Sequence, residues 1–224
     1  MIRVRTLSLA LVLAWAACSR SSPPNPPSPS SIDPALEAAA VERTRVDEPM
    51  EILFDWNLRE RDARFSGEGV ARIEPDRARV DLFGPRGEGY LSAVLDGFQL
   101  KLSLGVESVP LPPPALFWSV LGVFRVPPGA TLARAEQKDA NTTLEYAASG
   151  DAWRFQLDNG ALQHAEWTGS SAGRRTVELS RNANAELPSG ALYRDWPAFL
   201  ELRLTPKQVR KVNGFPAEIW TVRR

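Results

Sequence analysis

From Glu51 onward apolar and polar residues alternate in short runs, and that period of two commits the chain to half-covered β-strands. Ile52, Phe54, Trp56 and Leu58 interleave with Glu51, Asp55, Asn57 and Arg59. Phe98, Leu100, Leu102 and Leu104 interleave with Gln99, Lys101 and Ser103. The spacing recurs at Val80 and Leu82, at Leu91, Ala93 and Leu95, and at Leu144 and Tyr146. It returns at Trp153, Phe155 and Leu157, at Val177 and Leu179, and at Leu200, Leu202 and Leu204. One apolar and one polar face per strand is the pattern of an antiparallel sheet covered on one side. Turn-forming clusters separate the runs: Glu74-Pro75-Asp76, Gly84-Pro85-Arg86-Gly87, Asp96-Gly97, Ser149-Gly150-Asp151 and Asp158-Asn159-Gly160. The spacing predicts about ten or eleven strands, mostly a meander of hairpins. So many sequential strands in one domain curl into a barrel or part of one.

Three segments leave this period. Asp33-Pro34 opens a short helix through about Ala40, with an aspartate cap and proline at the first helical position. Pro112-Pro113-Pro114 leads into Ala115–Phe124, closed by Arg125 and Pro127-Pro128-Gly129. That segment reads as a helix of about three turns. It is apolar nearly all round, so it cannot lie on a wet surface, and it is too short to cross a bilayer. Thr205-Pro206-Lys207-Gln208 through Gly214 carries a cap, an N1 proline, a glutamine three residues on and a closing glycine, which predicts another short helix.

The start of the chain is of a different kind. Met1 to Arg5 is basic, Thr6 to Ala17 is apolar, and Ala16-Ala17-Cys18-Ser19 places two small residues before the single cysteine. Residues 1–17 read as an export signal. The Ala-Ala-Cys ending resembles the lipobox of bacterial lipoproteins, with Trp15 where that family usually carries Leu. The resemblance implies cleavage before Cys18 and lipid attachment to it. An ordinary signal with an incidental cysteine is the alternative. Residues 18–32 then form a Pro/Ser-rich tether that could reach about 40 Å; a merely disordered terminus fits the same composition. Residues 33–224 are left as one domain, large enough to stand on its own core without disulfides.

Charge narrows the partners. The chain has 27 basic and 27 acidic residues, and loss of residues 1–17 removes Arg3 and Arg5 and no acid. A near-neutral, slightly acidic domain argues against nucleic acid and against a polybasic membrane stripe.

Two stretches resemble a known family. Arg79-Val80-Asp81-Leu82-Phe83-Gly84-Pro85-Arg86-Gly87-Glu88 is similar to the third strand and following turn of the lipoprotein-localisation family, LolA and LolB. Leu111 to Pro114, with Trp118, Leu121-Gly122 and Pro127-Pro128-Gly129, is similar to the family's lid helix and its exit. Lipobox and tether favour the anchored outer-membrane receptor type, LolB. The resemblance implies a mainly β fold: a strongly curved antiparallel sheet forming a half-open β-barrel, with an inserted apolar lid helix and short terminal helices. It implies a cavity for acyl chains of lipids or lipoproteins, lined by Phe54, Trp56, Leu58, Val80, Leu82, Leu91, Leu100 and Leu102. The lid would comprise Leu116, Phe117, Trp118, Val120, Leu121 and Phe124. The family's membrane-facing turn maps to Phe83 and Arg86, with Arg86 where an exposed Leu is usual. Implied partners are lipid acyl chains or lipoproteins, the outer membrane through the anchor, and a periplasmic carrier protein. An ordinary core, closed by the helix in a scaffolding lipoprotein, accounts for the same apolar residues.

Catalytic patterns are weak. His164 is the sole histidine, which removes a His/Cys metal cluster and leaves any Ser-His-Asp arrangement dependent on this one residue. It lies in a strand reading that puts residues 162, 164 and 166 on one face, as a surface histidine. The glycines of 84–89 lack the Lys-Ser/Thr ending and helix of a phosphate loop. The expectation is a protein without enzymatic chemistry, metal or cofactor.

Overall fold

The computed structural model describes residues 32–103, 111–171, 173–182 and 187–222. Cys18, the leader, the tether up to residue 31 and Leu104 lie outside them. After helix α1 (Pro34–Arg43) come β1 (Met50–Glu60), β2 (Ala63–Ile73), β3 (Arg77–Phe83), β4 (Gly89–Asp96) and β5 (Gln99–Leu102). Helix α2 (Pro114–Val120) follows, then β6 (Thr131–Lys138), β7 (Asn141–Ala148), β8 (Asp151–Asp158) and β9 (Ala161–Gly169). The chain ends with β10 (Gly173–Ser180), β11 (Gly190–Asp195), β12 (Leu200–Lys211) and a single 3₁₀ turn (Ala217–Trp220).

All twelve strands form one antiparallel sheet in the order β5-β4-β3-β2-β1-β12-β11-β10-β9-β8-β7-β6. It is mainly β, curved and unclosed, the half-open barrel that the alternation and the resemblance predict. The first and last strands, β1 and β12, pair in the middle. The two free edges, β5 and β6, are joined through α2. Helix α2 lies in the concave face, where it packs on β9, β10 and β11, and Leu121 lines a small hollow together with Ile52 and Phe54 of β1. The turn clusters read from the sequence all fall between strands.

Four details differ from the sequence reading. The strands among the described residues number twelve. Residues 205–214 are not a helix, for β12 runs to Lys211 against β1. Pro206 is tolerated there because it faces Phe54 at a register shift, where a missing N–H breaks no regular ladder bond. Pairing along the whole of β1 outweighs the local helix signals. Thus the terminal helices are α1 and the 3₁₀ turn. Helix α2 is shorter than expected, stopping at Val120; Gly122 turns left-handed (φ 84°), so Leu121 caps the helix and Phe124 is beyond it. Finally, a register shift between β8 and β9 parts Leu162 from its expected face. Leu162 is buried in the core, whereas His164 and Glu166 face outward as a pair 3.5 Å apart.

Curvature has a local cause in β2. Gly67 and Gly69 sit opposite Trp56 and Phe54. A Cβ on Gly69 would lie inside the Phe54 ring, and one on Gly67 against the carbonyl of Phe83. Missing side chains in β2 let the β1 aromatics lie flat across it. On the convex face, buried Asp81 accepts from Arg72 Nη1 (2.9 Å), Arg79 Nε (2.8 Å) and Ser92 Oγ (2.6 Å). Arg79 Nη1 also donates to the carbonyl of Ile219 (2.6 Å), and Arg77 stacks over Trp220, so this network pins the C-terminal turn to β3.

Gly69→Ala is expected to displace the Phe54 ring and lower unfolding free energy by about 1–3 kcal/mol in urea titration, with secondary structure retained. Asp81→Asn, by contrast, should loosen the C-terminal turn first, read as faster amide exchange at residues 217–221 than in β1.

Candidate apolar site

The concave face is built from the inward positions of the alternating strands. Phe54, Trp56 and Leu58 project from β1, Val80 and Leu82 from β3, and Leu91 from β4, all buried. Leu100 and Leu102, on edge strand β5, are half-buried. Trp56 is tied down twice, its Nε1 donating to the carbonyls of Glu68 (3.1 Å) and Phe83 (3.0 Å). In the same apolar core lie Leu116, Phe117, Trp118, Leu121 and Phe124, also buried, with Val120 half-buried against it. Trp118 keeps only 1% of its surface exposed. Phe124 meets Phe155 edge-on at 4.8 Å, linking the lid to the far half of the sheet.

Phe83 and Arg86 stand apart from this layer. Phe83 ends β3 half-buried, and Arg86 is exposed in the β3–β4 turn, its N–H donating to Glu88 Oε2 (2.9 Å).

Little space remains beneath the lid. A hollow of about 30 Å³ lies between Ile52, Phe54, Ala71, Val120, Leu121, Ala191 and Leu204, with Leu187, Pro206 and Val209 at its rim. Its lining carries almost no polar atoms. Pockets for small ligands run to about 300–1,000 Å³, so acyl chains can enter only if α2 and its flanks move.

The contacts that hold the lid are few in their polar part, and none was legible in the sequence. Trp118 Nε1 donates to the carbonyl of Gly97 (2.8 Å) in the β4–β5 turn. The N–H of Phe124 donates to Thr44 Oγ1 (3.0 Å), just past α1. Arg125 lies 4.7 Å over the Trp118 ring, reaches Asp76 Oδ1 (3.3 Å) and donates to the carbonyl of Pro75. Each of these hydrogen bonds joins residues at least 21 positions apart, beyond any local pattern. Helix α1 is fastened by Tyr146, whose hydroxyl donates to Glu37 Oε2 (2.8 Å). Burial, reinforced by Glu37, pushes that phenol far above its usual range, so it stays a donor. His164, on the outer face, stands 3.5 Å from Glu166, which Arg174 pairs at 2.8 Å. Burial pulls the Glu166 carboxyl upward, but Arg174, with help from His164, outweighs it and sets it below its ordinary value. Among the described residues no three metal-ligating side chains converge.

No family model matches the chain, and no curated protein matches it. Solved structures do. A LolA superfamily protein from Nitrosomonas europaea is 15% identical with a TM-score of 0.54, over 84% of this chain and 96% of that one. An outer-membrane lipoprotein-sorting protein domain from Vibrio parahaemolyticus is 12% identical with a TM-score of 0.57, over 83% and 94%. A DUF1329 family protein from Desulfovibrio piger is 8% identical with a TM-score of 0.51, over 84% and 96%. At such identities the likeness is one of fold.

Arg125→Ala should cost the lid about 1–2 kcal/mol, because a cation–π contact and its hydrogen bonds go together. Amide exchange at Phe117–Val123 is then expected to quicken roughly tenfold, with β1 and β12 unchanged.

Proposed function

We propose, starting from the LolA/LolB-like fold, that this chain is a lipid-anchored envelope lipoprotein that shelters the acyl chains of lipids or lipoproteins at the periplasmic face of the outer membrane. The observation that carries the reading is a sheet apolar on its concave face and covered there by one short apolar helix. The LolA superfamily and lipoprotein-sorting neighbours support it by sharing that architecture. Its work is desolvation, without enzymatic chemistry. An acyl chain in water costs about 0.8 kcal/mol per CH₂, so a carrier needs only an undirected apolar wall. Phe54, Leu58, Val80, Leu82 and Leu91 supply that wall, with Trp56 closing it toward the β3–β4 turn.

The structure is the closed state of such a carrier. Lid side chains such as Leu116, Trp118 and Phe124 are buried against the sheet when it is empty, and would be buried against hydrocarbon when it is loaded. Exchange of one apolar surface for another keeps the difference between the states small, and release into a membrane stays downhill. The cost of opening falls on the few polar ties at Gly97, Thr44 and Pro75-Asp76, and lowers affinity by the fraction of time the lid is closed.

A second reading is favoured by one observation, the fully buried lid above a hollow of only about 30 Å³. It is an anchored scaffold with a permanently closed core and a protein partner.

Full-length chain carrying Cys18→Ser, incubated with a fluorescent fatty acid, separates the two. The carrier takes up the probe, and lipid is found by mass spectrometry in protein purified from cells. Ala71→Val, which grows into the hollow, should leave the fold intact and reduce uptake. No uptake and no bound lipid, even with Arg125→Ala, assigns the scaffold instead.

A further inference from the structure

Because every neighbouring pair of strands is antiparallel, the β1–β2, β3–β4, β9–β10 and β11–β12 turns gather at one end of the half-barrel. The hollow beneath α2 lies toward the other end. At this end stand the exposed large aromatics of the described residues: Trp196 is 51% exposed, Phe199 72% and Phe65, near the start of β2, 42%. They are held in place. The buried Asp195 carboxylate accepts from Arg175 Nε (2.6 Å) and from the N–H of Ala198 (3.2 Å), fixing the start of the β11–β12 turn. Arg61 and Phe199 are both left-handed (φ 49° and 52°), and the Arg61 N–H donates to the carbonyl of Phe199 (3.1 Å). That conformation is disfavoured for a bulky side chain. An ordinary turn would relieve it, whereas here two adjoining turns are locked together with Phe199 outermost.

Arginines surround these rings. Arg59, Arg61, Arg64 and Arg203 are exposed, and their side chains make no hydrogen bond or ion pair among the described residues. Arg59 and Arg64 stand directly opposite each other across β1 and β2, an arrangement of like charges that disfavours the pairing unless an anion lies over it. The unpaired carboxylates among them are Glu60 and Asp62. Glu201 is engaged by Arg194 (3.2 Å) and Asp195 by Arg175. Between Arg59, Arg61, Arg194, Trp196 and Phe199 lies an open depression of about 570 Å³.

We infer that this end of the half-barrel docks on an anionic phospholipid surface, with Trp196 and Phe199 in the interfacial layer and Arg59, Arg61, Arg64 and Arg203 on the phosphates. Amphipathic rings flanked by guanidiniums match the layered chemistry of a bilayer face, apolar just below and anionic just above. The balance of 27 basic and 27 acidic residues argues against a long polybasic stripe. These four arginines, however, are gathered at one end beside exposed rings, which suits a small membrane contact; a nucleic acid would call for a far more basic face. The inference is separate from acyl-chain binding, since its residues line neither the hollow beneath α2 nor the proposed apolar wall.

The test uses the full chain with Cys18→Ser and one new thiol, Asp62→Cys at this end or Gln99→Cys at the other, bearing a polarity-sensitive dye. Vesicles are phosphatidylcholine alone or mixed with phosphatidylglycerol. The dye at position 62 is expected to shift to the blue with the anionic vesicles and the dye at 99 to stay unchanged, whatever the N-terminal segment does. Each of Arg59→Gln and Arg64→Gln should weaken the anionic response roughly fivefold. Trp196→Ser with Phe199→Ser should remove it, thermal unfolding being followed alongside; if that pair misfolds, the arginine variants carry the test. Equal responses at 62 and 99, or one indifferent to phosphatidylglycerol and to these substitutions, overturns the inference. So does a concentration-dependent shift at 62 without vesicles, which assigns the surface to a second copy of the chain.

Discussion

An unclosed sheet with an apolar inner face cannot remain empty in water, and the rest of this structure follows from how that face is covered. The edges β5 and β6 do not meet. The chain passing between them must therefore cross the opening, and it does so as the one segment apolar enough to lie inside. Cover and connection are the same peptide. That economy makes α2 a movable element: it is fastened by packing, by Trp118 to Gly97 and by Arg125 to the β2–β3 turn, but by no strand pairing of its own.

The two faces of the sheet are stabilised by different physics. Inside, Phe54, Trp56 and the lid aromatics offer contact area without direction, which can be exchanged for other hydrocarbon. Outside, Asp81 with Arg72 and Arg79 forms directed bonds that fix the tail, and Asp195 with Arg175 does the same for a turn at one end of the inner face. A sheet held rigid from its polar side can afford a changeable apolar side. The bonds of Asp195 to Arg175 and to the N–H of Ala198 fix the turn that carries Trp196 and Phe199, so a surface feature depends on a buried carboxylate.

Much of the architecture was legible because strands report themselves by alternation. β1, β4, β8 and β10 carry clean inward sets, and each turn cluster marked a real hairpin. Other strands were silent for physical reasons. β2 contains Ser66-Gly67-Glu68-Gly69, where neighbouring rings occupy the place of its side chains. β6 is an edge strand with one buried residue, Ala135, so its pattern is nearly all polar. The expected cavity residues Phe54, Val80 and Leu82 and the expected lid residues Leu116, Trp118 and Phe124 are buried in one common core. Arg125, Thr44 and Gly97 went unseen, since no local rule connects a guanidinium to a carbonyl fifty residues away.

Taken alone, the sequence determined the period of the strands, the places where they turn and the one segment that must hide from water, because these depend on neighbours within a few residues. Tertiary structure decided what depends on distant partners. It made a strand of Thr205–Lys211 despite its capping signals, because β1 offered a full length of backbone to pair with. It ended α2 at Val120, turned Leu162 into the core by a shift of register, and left a hollow of about 30 Å³ beside Val120 and Leu121. Volume and register belong to the assembled sheet, and no stretch of chain carries them by itself.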